Sequence, residues 1–88
     1  MNLLNMYKER AKVVVTEKYN LLNRLENREQ ELLNKSNSNM RLFFKYYSED
    51  NEIQIITSTL NDLEIEQKYL VTRLSNSRDS IKSPRERI

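Results

Sequence analysis

The chain has 88 residues, 32% of them charged and 38% hydrophobic, with a formal net charge of +2 and no cysteine, histidine or glycine. Without cysteine there are no disulfides, thiolate zinc sites or cysteine nucleophile, and without histidine the commonest metal ligand and the usual general base are missing. With no glycine and Pro84 as the lone proline, phosphate-cradling loops and tight turns between strands are also disfavoured, so the expectation is an all-α protein that is not an enzyme and holds no cofactor or metal.

A charge of +2 is too small for general nucleic-acid binding, and no apolar run approaches the roughly 18 residues that would suggest a membrane span. Lys8, Arg10 and Lys12 follow the short apolar stretch near the start, whereas a secretory signal places its charges first. A cytoplasmic location is therefore expected.

The first predicted element is a long helix over 3–35, in which apolar residues recur at Leu4, Tyr7, Ala11, Val14, Leu21, Leu25 and Leu32. Lys18 and Arg28 occupy polar positions in that series, while Val15, Tyr19, Leu22 and Leu33 lie to one side of it. Val13-Val14-Val15 is β-prone, but a lone strand inside helix-forming sequence has no partner, so it reads as helix. Ser36-Asn37-Ser38-Asn39 is the predicted turn at 36–39, because these side chains compete for backbone hydrogen bonds and favour turns and N-caps.

A second helix is predicted over 40–78, with a heptad seam through Leu42, Tyr46, Glu49, Ile53, Ile56, Leu60, Leu63, Gln67, Leu70 and Leu74. Ser48-Glu49-Asp50-Asn51 offers a place for this helix to break near 48–51, with Ser48 as the new cap. Gln67 is a polar seam residue of the kind that fixes register, or a tolerated imperfection. Ser83-Pro84-Arg85 and its neighbours read as a disordered tail over 81–88. The predicted fold is a long antiparallel two-helix coiled-coil hairpin over 1–80, too elongated to be a compact globule.

The two ends of this rod differ. Phe43, Phe44, Tyr46 and Tyr47 follow the turn and are four of the seven aromatic residues. Four rings in five positions cover more than half a helical circumference, so some face outward, with Phe44 and Tyr47 the expected outward pair for protein binding. The alternative is that all four close the hairpin against Leu32 and Leu33. Basic residues gather at the open end, where Lys8, Arg10, Lys12, Arg73 and Arg78 form a second expected protein-binding group. Clustered carboxylates such as Glu26, Glu29 and Glu31 read as solvated helix faces.

Tyr7-Lys8-Glu9-Arg10-Ala11-Lys12-Val13, Thr16-Glu17 followed by Leu21-Leu22-Asn23-Arg24-Leu25-Glu26, and Asp62-Leu63-Glu64-Ile65 resemble segments of the small central-stalk proteins of type III secretion systems. These are the FliJ, YscO and InvI family, and the similarity is nearest to the InvI-like proteins of invasion-type injectisomes. The resemblance implies an antiparallel coiled coil in the central hole of a hexameric secretion ATPase, linking that ring to the export gate and handling chaperones of exported proteins. It also implies a place at the cytoplasmic face of a membrane-embedded secretion apparatus. In that setting the basic end enters an acidic ATPase pore and the aromatic end faces the gate. The competing expectation is an oligomeric coiled-coil chaperone or assembly and scaffold subunit that completes its bundle with a partner protein or as a homo-oligomer.

Overall fold

The computed structural model describes the backbone of residues 2–86 and the side chains of residues 2–76. It contains three helices in chain order, α1 (Leu3–Lys35), α2 (Met40–Glu49) and α3 (Asn51–Glu86), and no strand among the described residues. Cross-helix contacts pair Arg28 with Asp50, Lys18 with Glu64 and Arg10 with Glu66, so positions fall along α1 as they rise along α3. The fold is therefore an antiparallel all-α hairpin, with principal extents of 62 × 30 × 15 Å. Among the described residues no helix is long and apolar enough to cross a membrane.

From the start of α1 to the start of α3, the helix ends carry residues that satisfy orphan backbone groups. The Asn2 side chain accepts from the Asn5 N–H at 2.8 Å and starts α1, with Val13-Val14-Val15 inside it as helix. At the other end the Ser38 N–H donates to the Leu33 carbonyl at 3.1 Å and the Asn37 N–H to the Asn34 carbonyl at 3.1 Å. That pair of bonds is a Schellman closure, which requires a left-handed residue immediately after the cap. Here the chain has no glycine to use, and Asn37 and Ser38 adopt φ of 52° and 62° instead. Asparagine tolerates that region through its short polar side chain, whereas serine bears more of its steric cost. Ser36 is buried and its hydroxyl donates to the Leu33 carbonyl, so the turn is closed from inside. Asn39 then caps α2 by accepting from the Leu42 N–H at 3.2 Å.

The second arm is broken within 48–51, the alternative to a continuous helix over 40–78. It breaks at Asp50, whose backbone is extended at φ −80° and ψ 118°. The new cap is Asp50 rather than Ser48: its carboxylate accepts from the Ile53 N–H at 2.9 Å, while the Ser48 hydroxyl donates back to the Lys45 carbonyl. Gln54 also reaches across the break, its amide donating to the Ser48 carbonyl at 2.9 Å. α3 runs to Glu86, past the end expected at 78, with no glycine or proline before Pro84 to stop it. The tail expected over 81–88 lies outside the residues whose side chains are described.

Burial is concentrated in one seam between α1 and α3. Val14, Leu32, Ile53, Ile56, Leu63 and Leu70 are buried, and Tyr7, Ala11 and Leu21 pack partly buried against the Val14, Leu63 and Leu70 group. Leu60, Gln67 and Leu74 lie half-buried beside it. Leu42 does not belong to this seam: the break at Asp50 changes the register of α2 relative to α3, and Leu42 is left exposed. α2 buries no residue fully, so its position depends on its caps and its half-buried rings.

Replacing Ser38 with glycine should relieve the left-handed backbone while keeping its N–H bond, raising stability by about 0.5–1 kcal/mol in urea denaturation.

Candidate protein-binding faces

The polar residues of the seam find one another across the hairpin. Lys18 projects its ammonium between Glu64 and Gln67, at 2.7 Å from the Glu64 carboxylate and 2.6 Å from the Gln67 side-chain oxygen. Arg28 donates from Nε and Nη2 to one oxygen of the Asp50 carboxylate, at 2.9 and 2.5 Å, and from Nη1 to Glu31 at 3.0 Å. The other Asp50 oxygen caps α3. Gln67 is thus matched to a lysine that also interrupts the apolar series.

These pairs shift the ionisation of the carboxylates. The Asp50 carboxyl is lowered from its ordinary value, first by the Arg28 hydrogen bond, with burial opposing and backbone donors assisting. Glu64 is lowered by Lys18 and Glu66 by Arg10. A carboxyl with a depressed folded pKa contributes stability above its unfolded pKa and loses it as pH falls toward the folded one.

The basic open end is less available than its sequence suggests. Arg10 donates from Nε and Nη2 to both oxygens of Glu66, at 2.5 and 2.8 Å, so its charge is used within the hairpin. Arg73 lies over the Tyr69 ring at 5.2 Å and donates to its hydroxyl at 3.1 Å, while Tyr7 meets the same ring edge-on at 6.3 Å. Among the described residues Lys12 meets only Glu9 of its own helix, at 3.5 Å, and Lys8 is exposed. Arg78 lies outside the described side chains. The structure thus separates the four basic residues whose side chains are described: two are engaged across or along the hairpin, two face solvent.

At the turn end the four rings also divide. Phe43 is half-buried and touches both Phe44 and Tyr47, with ring centroids 5.7 Å away in each case. Phe44 is 62% exposed and does face outward, as expected. Tyr47 does not: it is half-buried beside Glu29, and burial followed by that carboxylate's charge raises its pKa. Tyr46 is half-buried with the Lys35 ammonium 4.6 Å from its ring centre, which ties α2 to the end of α1.

Sequence reasoning left one face without a role. Val15, Tyr19 and Leu22 are exposed by 43%, 68% and 49% and stand three and four residues apart on α1. With Lys18 and Gln67 they line a shallow hollow along the side of the hairpin. Their spacing was legible, but exposure depended on which neighbouring series faces α3. Among the described residues no group of three or more acidic, histidine or cysteine side chains is placed to hold a metal ion.

Comparison of the chain with family models, curated proteins and solved structures finds no match in any of the three.

Lowering the pH from 7 to below about 4 should remove stability as Asp50, Glu64 and Glu66 take up protons. At pH 7, Asp50→Ala should cost about 1–2 kcal/mol through loss of the cap. Asp50→Asn should keep that cap while reducing the acid-dependent loss, as urea midpoints at pH 7 and pH 3 will read.

Proposed function

We propose that the chain is a non-catalytic protein-binding hairpin, an assembly or chaperone-like subunit that completes a helical bundle with helices of another polypeptide chain. The observation that carries this reading is the exposed row of Val15, Tyr19 and Leu22, lying beside the seam rather than in it. Two helices bury one stripe each, and a further apolar stripe on α1 has nothing among the described residues to cover it. Phe44 and Met40 are likewise exposed, on α2.

A second reading is the central stalk of a hexameric export ATPase, coupling that ring to an export gate. Its support is the resemblance in α1 and α3 together with the cross-hairpin pairs at Arg28, Lys18 and Arg10. Pairs spread along the rod resist sliding of one helix over the other, which a force-transmitting shaft needs. Lys8 and Lys12 are then the residues left to meet an acidic pore, since Arg10 and Arg73 are engaged.

Affinity purification from the native host should recover helical partner polypeptides with the native chain and lose them with Val15→Glu combined with Leu22→Glu. Recovery of the same partners by both chains would overturn the bundle reading. For the stalk, a purified hexameric export ATPase should bind the native chain and bind the Lys8→Glu, Lys12→Glu variant at least about tenfold more weakly at moderate salt. Undiminished binding removes the basic-end part of that reading.

A further inference from the structure

The apolar row on α1 is the middle of a longer heptad. Lys8, Lys12, Val15, Tyr19, Leu22, Glu26, Glu29 and Leu33 follow one another at steps of four and three. Each comes one position after a residue of the series that faces α3, as Lys8 does after Tyr7, Val15 after Val14, Glu26 after Leu25 and Leu33 after Leu32. One residue is about 100° of helical rotation. The second heptad therefore looks sideways from the hairpin, at the angle by which a helix in a four-helix bundle contacts two neighbours at once.

Its charges are ordered. Two lysines precede the apolar centre and two glutamates follow it, with Tyr19 midway between Lys12 and Glu26. Two copies of α1 crossing antiparallel at Tyr19 would set Lys12 of one against Glu26 of the other, twice by symmetry, while Glu29 stays beside Tyr47 of its own hairpin. Parallel copies would set lysine against lysine and glutamate against glutamate. Val15 and Leu22 lie on either side of the axis, so the antiparallel arrangement also buries the apolar centre against itself.

The opposite flank of the hairpin is already closed by its own charges. Arg10 holds Glu66 and reaches toward Glu17 at 3.9 Å, and Arg24 meets Glu52 at 3.8 Å. On the α3 side next to the heptad, Gln54, Thr57, Asn61, Glu64, Lys68 and Val71 are mostly polar. Of these flanks, among the described residues, the one on α1 combines an apolar centre with charges that match their own inversion.

We infer that this face of α1 binds a second copy of the chain, antiparallel about a two-fold axis near Tyr19, forming a four-helix bundle from two hairpins. This rests on the bundle reading above and names its partner. From Lys12 to Glu26 the contact runs about 21 Å along the helix. The lysines and glutamates at its two ends select the antiparallel orientation, as charges flanking coiled-coil seams do.

Sedimentation velocity of the full chain over a range of concentrations should show a reversible dimer. Lys12→Glu and Glu26→Lys should each weaken it about tenfold, because each creates like-charge contacts at both symmetric positions. The two changes combined should restore the native dissociation constant to within about threefold. Circular dichroism should show all three variants as helical as the native chain, since both positions are exposed. Because the chain has no cysteine, Tyr19→Cys introduces one thiol per copy, and mild oxidation should give a covalent dimer. A monomer at every concentration, single reversals without effect, failure of the combined variant to recover, or no disulfide at Tyr19→Cys would each overturn the inference. A monomer whose host partners are still lost with Val15→Glu and Leu22→Glu would overturn the second-copy assignment and leave the bundle reading standing.

Discussion

The carboxylate of Asp50 is asked to do two jobs with two oxygens. One accepts the Ile53 N–H and begins α3, and the other receives the Arg28 guanidinium from α1. The extended residue between α2 and α3 would otherwise be a free joint, able to swing the long arm of α3 away from the seam. Because the same side chain starts the helix and anchors it to α1, the direction of α3 and its axial position are set together. Every layer from Ile53 to Leu70 depends on that setting. Asp50 is buried, and a pair of this kind adds less to stability than its short distances suggest, because desolvation offsets attraction. Its main contribution is to exclude other registers.

The rest of the seam divides in the same way between residues that supply free energy and residues that supply position. Val14, Ile56, Leu63 and Leu70 are removed from water, but apolar contact is non-directional and tolerates a slip by a heptad. A slip would take Lys18 away from Glu64 and Gln67, and Arg10 away from Glu66, leaving charged groups half-buried without partners. A narrow hairpin has few apolar layers with which to reject such alternatives, so its polar interruptions carry the discrimination.

Much of this fold was legible from periodicity. The limits of α1, the turn at 36–39 and the buried set of Ile53, Ile56, Leu63 and Leu70 all follow from spacing and from the Ser/Asn run. What escaped was long-range. That Lys18 and Gln67 interrupt their two series as a matched pair depends on a register that neither series specifies alone. The break at Asp50 was visible as a helix-restart signal, but choosing Asp50 over Ser48 required knowing that Arg28 waits opposite. Leu42 kept the heptad count and lost its place in the seam because counting assumes an unbroken helix. At the basic end, composition showed five cations but not that Glu66 and Tyr69 would occupy two of them. The orientation of Phe44 followed from ring crowding, whereas that of Tyr47 depended on Glu29 of another helix.

The order of the cross-hairpin pairs along the chain has a kinetic consequence. Arg28 and Asp50 are 22 residues apart, Lys18 and Glu64 46, and Arg10 and Glu66 56. Closing a loop costs more entropy as it lengthens, but once the inner pair is made each further pair closes only the short increment beyond it. The chain is therefore built to zip from the Ser36–Asn39 turn outward, with the Arg28–Asp50 contact as the first tertiary step and the Tyr7–Tyr69 end as the last. In the reverse direction the free ends open first, so amide protection should decline from the turn toward the termini along both arms.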